Sequence, residues 1–127
     1  MLMRRKIFYT VVIFLFIFIA DARLCAAETI NWTKNTSSAN WNARSGLGVL
    51  VYNDKLWVMG GYDPQTKNDV WYSTNGSNWT LATTTAGWSA RNTFVHLVYN
   101  NKMWVIGGYA GAANFNDVWY STNGINW

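Results

Sequence analysis

An all-β fold, built from four-stranded antiparallel units that repeat along the chain, is predicted by three observations. Residues 56–79 read LWVMGGYDPQTKNDVWYSTNGSNW and return at 103–127 as MWVIGGYAGAANFNDVWYSTNGINW. Short runs of β-branched and aromatic residues are bounded by turns rich in Asn, Asp and Gly. No stretch between Glu28 and Trp127 sustains a helical period. A repeat of about 40 to 50 residues marks an architecture in which one supersecondary unit cannot bury its own apolar face and stacks on a copy.

The register is strict. Trp41 recurs at Trp88, Arg44 at Arg91, Trp57 at Trp104 and Gly60-Gly61 at Gly107-Gly108, each 47 residues on. Beyond the glycines the step is 48: Asp69 recurs at Asp117, Trp71 at Trp119, Tyr72 at Tyr120 and Trp79 at Trp127. One residue is therefore inserted between Tyr109 and Asp117, which marks a loop.

The chain opens differently. Arg4, Arg5 and Lys6 precede an apolar run from Ile7 to Ala20, too short to cross a bilayer comfortably, with small residues after it. This is the pattern of a secretory signal helix over residues 1–27, cut after Ala22 or after Ala27, with the repeat region at 28–127. The expected location is secreted or periplasmic, with no membrane attachment after cleavage. Leu24 stands before Cys25 where a lipoprotein signal has a small residue. The cleavage site decides whether Cys25, the one cysteine, survives, and either way no internal disulfide can form.

The full chain carries a net charge of +4. Cleavage after Ala22 leaves seven Lys and Arg (Arg23, Lys34, Arg44, Lys55, Lys67, Arg91, Lys102) against five acids (Glu28, Asp54, Asp63, Asp69, Asp117), or +2. No basic stripe remains to neutralise phosphates, so nucleic acid is excluded as a partner despite the aromatic content.

Ile30–Arg44 aligns with Ser77–Arg91, so the chain enters the repeat part-way, and Trp32 to Lys34 is expected as the last strand of a preceding unit. Leu47–Tyr52 and Leu56–Met59 then read as a hairpin around Asn53-Asp54-Lys55, matched by Phe94–Tyr99 and Met103–Ile106 around Asn100-Asn101-Lys102. The double glycines are expected to end the second strand at a tight bend. A polar loop follows, containing Asp63-Pro64 in one copy and spanning Ala110–Asn114 in the other. Val70–Ser73 and Val118–Ser121 are third strands, Ser73-Thr74-Asn75-Gly76 is a turn, and a fourth strand begins at Trp79.

A double glycine after an apolar strand, an aromatic pair about ten residues on, a Trp after a polar turn and an Arg ahead of the next strand together resemble the kelch repeat. The resemblance runs from Ile30 to Trp127 and rests on Gly60, Gly61, Trp71, Tyr72 and Trp79, then Gly107, Gly108, Trp119, Tyr120 and Trp127. It implies that each unit is a blade of a β-propeller. STNGSNW (73–79) and STNGINW (121–127) are also similar to the Asp-box of sialidase-type propellers. They carry Asn75 and Asn123 for the Asp and reach the Trp one residue early, so they are read as turns of related shape without enzymatic meaning. Closure takes about four to eight blades. Two blades read as a fragment of a longer propeller; if the chain is complete, a homo-oligomer is expected, with the Trp32 strand of one copy beside Val118–Ser121 of another.

For chemistry, Trp57, Trp71, Trp104 and Trp119 lie within strands, and Trp79 and Trp127 at the outer-strand position, so these six are expected to fill space between sheets. Trp41, Trp88, Tyr62 and Tyr109 lie near loops and, with Arg44 and Arg91, are the candidates for a ligand surface. For the arginines, Asp69 and Asp117 are the expected internal partners. A galactose-oxidase-like copper site needs two His and a Cys, and the repeats hold His96 alone and no Cys. Glycoside hydrolysis usually needs two carboxyl groups facing one pocket, and no Glu follows Glu28. The expectation is a binding module for protein or carbohydrate, with no catalytic site, metal or cofactor. The alternative is a piece of a propeller enzyme acting on sugars, of the sialic acid epimerase or glycoside hydrolase type, whose catalytic residues lie elsewhere.

Overall fold

The computed structural model describes residues 29–127; the expected signal segment, both expected cleavage positions and Cys25 lie outside the described residues. Strands β1 (Gly48–Tyr52), β2 (Lys55–Tyr62), β3 (Thr66–Ser73) and β4 (Thr80–Thr83) form one antiparallel sheet in that order. Strands β5 (Val95–Tyr99), β6 (Lys102–Ala110) and β7 (Ala113–Ser121) form a second, ordered β5-β6-β7. Both sheets belong to the unit Thr33–Trp127. The described part is all-β: two blades, not a closed ring.

The first hairpin of each blade turns on two residues with left-handed backbone, Asn53 (φ 48°) and Asp54 (φ 55°), then Asn100 (φ 48°) and Asn101 (φ 53°). Such two-residue turns match the twist of paired strands, and Asn and Asp tolerate the conformation better than other side chains. Each turn is braced from inside. The Trp57 indole N–H donates to the Tyr52 carbonyl at 2.9 Å, and Trp104 does the same to Tyr99 at 2.9 Å.

The double glycines do not end their strands. β2 and β6 continue through them, with a slip of register between Met59 and Gly61 and between Ile106 and Gly108. All four glycines have left-handed φ, as a bulge requires, and a Cβ on Gly61 would meet the Ser45 carbonyl oxygen at 2.9 Å. The backbone therefore bends without leaving the sheet. The loops expected after the glycines shrink to Asp63–Gln65 and Gly111-Ala112. The inserted residue is absorbed at the second tip, which gains the ladder pair Ala110–Ala113.

Beyond β3, Ser73 and Asn75 fold the turn with their side chains. Ser73 Oγ accepts from the N–H of Asn75 (3.2 Å) and Gly76 (2.8 Å), while Asn75 Oδ1 accepts from Ser77 and Asn78, both at 2.9 Å. Ser121 and Asn123 repeat the arrangement. Four backbone donors are satisfied locally, which is why a serine stands buried at each site.

β4 pairs along β3. Its N-terminal counterpart, Trp32 to Lys34, is not a strand, contrary to expectation. A strand needs a ladder, and among the described residues nothing supplies one there.

The core lies between the sheets. Leu50, Tyr52, Trp57, Met59 and Val70 project from the first sheet onto Ala86, Trp88, Phe94, Met103 and Val105. Each fully buried aliphatic side chain contributes about 1.5–3 kcal/mol. The Tyr52 hydroxyl crosses the boundary and donates to the Asn101 carbonyl at 2.8 Å.

Candidate functional site

Two polar nodes, one per blade, are built alike. In the first, Arg44 grips Asp69 with both guanidinium nitrogens (2.6 and 3.1 Å) and donates to the Gly60 carbonyl at 3.0 Å; Trp71 donates to the same carboxylate at 2.8 Å. In the second, Arg91 grips Asp117 (2.5 and 2.9 Å) and donates to Gly107 at 2.8 Å, with Trp119 on the carboxylate at 2.8 Å. The glycine bulge presents the carbonyl that each arginine needs. A forked guanidinium on a carboxylate, with a third acceptor, is a strong and directional arrangement. The Arg–Asp pairing anticipated from the repeat is thus present twice.

The six ligand-surface candidates separate. Trp88 and Arg91 are buried and offer no surface. The segment that carries them out of the first sheet runs beneath the second, where Trp88 packs edge-on against Trp127 (6.0 Å between rings) and also against Phe94 (5.9 Å). The Arg91 guanidinium lies 4.1 Å over the Phe115 ring. Arg44 is likewise occupied, its side chain almost wholly covered. Trp41 is half-buried against Trp79. Only Tyr62 and Tyr109 are exposed.

Those two tyrosines occupy one end of the blades. Tyr62 exchanges backbone hydrogen bonds with Ser45 (2.9 and 3.1 Å), and Tyr109 with Asn92 (3.0 and 2.9 Å). Gly61, next to Tyr62, donates to the carbonyl of Arg91, next to Asn92, at 2.9 Å. A continuous run of backbone bonds therefore fixes both rings' attachment points, and the short tips 63–65 and 111–112 border them. Asp63 pairs with Lys67 at 2.8 Å, and that hydrogen bond chiefly holds the Asp63 carboxyl below its usual range.

Sequence reasoning missed two features. Lys55 lies over the Tyr72 ring at 4.4 Å and Lys102 over Tyr120 at 4.1 Å, capping the aromatic pairs Trp57–Tyr72 and Trp104–Tyr120. The recurrence of Lys at the same turn position was the available signal. Asn68 was also missed: its side chain donates to Ala86 (3.3 Å) and Trp88 (3.1 Å), tying the connecting segment to β3.

Among the described residues no three His, Cys, Asp or Glu side chains converge to hold a metal ion. A shallow cavity of about 240 Å³ beside β3 includes Lys67, Asp69 and Leu81, and its carboxylate is already committed to Arg44 and Trp71.

The second node sets an acid limit. Arg91, then the Trp119 N–H, hold the Asp117 carboxyl down at about 2, against burial, which pushes it up. A depressed folded-state value means stability that is present above the unfolded value of 3.8 and lost as pH falls through about 2. Tryptophan fluorescence during acid titration should show Asp117→Asn less stable than the parent at neutral pH, with the gap closing between about pH 4 and pH 2. A gap constant with pH would show that the pair is not what the proton breaks.

Residues 43–72 match the kelch motif, and the second blade repeats the matched glycines, aspartate and aromatic pair. No curated protein matches the chain. The first blade thus carries a kelch motif, which at a coarse level suggests an interaction module.

Proposed function

We propose, from the premise of a kelch motif in its first blade, that the chain is a secreted protein-binding module whose contact surface is the blade end bearing Tyr62 and Tyr109. The carrying observation is that two exposed tyrosines stand at equivalent places on adjoining blades, each on backbone locked by reciprocal hydrogen bonds. Tyrosine brings large contact area at little entropic cost, and a preformed backbone lowers the cost of ordering on binding. The exposed tips at Pro64-Gln65 and Gly111-Ala112 border the rings and leave room for an incoming loop or extended peptide. Secretion rests on the Arg4-Arg5-Lys6 and Ile7–Ala20 pattern.

A displayed peptide library selected on the wild-type chain tests the reading. Retained peptides should bind Tyr62→Ala/Tyr109→Ala about tenfold or more weakly, as loss of tyrosine anchors does elsewhere. Both sites are exposed, so stability should move by no more than about 0.5 kcal/mol per substitution. Peptides that bind the double variant equally well, or a selection that retains none, would defeat it.

A further inference from the structure

Thr93 holds a backbone conformation that its residue type resists. Among the described residues, five other than glycine have left-handed φ, and four of them are the Asn and Asp of the hairpin turns, which tolerate it. The fifth is Thr93, at φ 52°, between β4 and β5 and outside any hairpin. A β-branched side chain there crowds its own backbone, so the residue carries steric strain. The fold does not ask for it. One repeat earlier the same position is Gly46, which takes φ 59° without that strain.

Strain of this kind gathers where a side chain serves something other than stability. The surroundings of Thr93 say what. Its N–H donates to the Gly46 carbonyl at 2.9 Å, next to Ser45, which holds Tyr62, while its own neighbour Asn92 holds Tyr109. Thr93 therefore stands where the attachments of the two tyrosines meet, and it is exposed.

The Thr93 hydroxyl donates to Asn92 Oδ1 at 3.1 Å. That bond fixes the rotor and leaves the Thr93 oxygen free to accept, while the Asn92 amide nitrogen keeps its hydrogens to donate. An acceptor and a donor are thus presented side by side. The first blade has Ser45-Gly46 at these positions and presents no such pair.

We propose that Asn92 and Thr93 are the specificity-determining polar contact of the tyrosine surface, and that they take the main chain of an extended peptide. The N–H and C=O of one residue in an extended chain point to the same side. The N–H donates to Thr93 Oγ1, and the C=O accepts from Asn92 Nδ2. This inference rests on the tyrosine end being the contact surface, and adds which part of a partner that surface reads.

Three variants of the full chain separate the hydroxyl from the strain. Thr93→Gly should raise the thermal midpoint by about 2 °C or more, because the strain is relieved. It should also weaken binding of the peptides retained on the wild type by about threefold or more. Thr93→Val keeps the β-branch and loses the hydroxyl, so it should bind as weakly without that gain in midpoint. Thr93→Ser keeps the hydroxyl and should bind within about twofold of the wild type. N-methylation of a retained peptide at one residue should weaken its binding to the wild type and not to Thr93→Val, since both changes remove the same hydrogen bond.

A midpoint lowered by Thr93→Gly would assign the side chain to the fold and overturn the proposal. So would an N-methyl scan that finds no such residue. Peptides that lose affinity for Tyr62→Ala/Tyr109→Ala but bind Thr93→Val as tightly as the wild type overturn this proposal alone. Peptides indifferent to both, or a selection that retains none, defeat the tyrosine surface as well.

Discussion

Asp117→Ala is expected to lower the free energy of unfolding by about 2–3 kcal/mol, towards the lower end of what removing one member of a buried ion pair costs. The reason is what remains. Arg91 is fully buried, and without Asp117 its charge is left with the carbonyls of Gly107 and Ser89 and the face of Phe115. Asp117 itself is partly exposed, which tempers the figure. Asp69→Ala should cost less, because Arg44 keeps Asp63 at 4.0 Å as a second carboxylate. Removing both charges in Arg91→Met/Asp117→Ala should recover part of the loss, since no unpaired charge stays in the core. Urea denaturation of the four proteins measures all of this. Equal losses for Asp69→Ala and Asp117→Ala would refute the role given to Asp63.

Gly124→Ala is expected to cost about 3 kcal/mol or more. Gly124 is buried in the turn after β7 with φ 75°, and an added Cβ would collide with the six-membered ring of Trp57 in the other sheet. The cost combines left-handed strain with overpacking of a buried indole. Gly76, its equivalent, has φ 73°, but its Cβ would meet the Asn35 side-chain amide, which can swing away, and Leu56 Cδ1 at a comfortable 3.6 Å. Gly76→Ala should therefore show the backbone strain alone, about 1–2 kcal/mol. The difference between the two reads out packing between the blades, and thermal unfolding of both variants supplies it. Equal costs would place the Trp57–Gly124 contact outside the energetics of the joint.

Much of this was legible because it is local. The hairpin turns at Asn53-Asp54 and Asn100-Asn101, the strand runs and the Arg–Asp pairs each depend on residue type at a fixed repeat spacing. The double glycines were legible only in part. Their presence says that the backbone needs a left-handed conformation, but a strand end and a bulge need it equally, and only the ladder distinguishes them. Trp88 and Arg91 were misplaced on a ligand surface for a different reason. They follow β4 in a segment without strand pattern, and that segment is covered by a sheet made from later residues. Trp41 shares the Ala-x-Trp-x-Ala-Arg pattern of Trp88, yet it is only half-buried, so the difference lies in what covers each copy. Trp32 to Lys34 fails as a strand on similar grounds: its pattern is right, and its partner is not among the described residues.

The side-chain bonds that fold the turns after β3 and β7 also bear on how the chain ages. Asn-Gly is the dipeptide most prone to deamidation, because the glycine nitrogen can attack the asparagine side-chain carbonyl and close a five-membered ring. At Asn75-Gly76 that nitrogen is committed to Ser73 Oγ at 2.8 Å, and the carbonyl oxygen is held by two further backbone donors. Asn123-Gly124 is restrained identically, with its glycine pressed against the opposite blade. The bonds that give each turn its shape therefore hold its most perishable peptide link away from the geometry in which it decays.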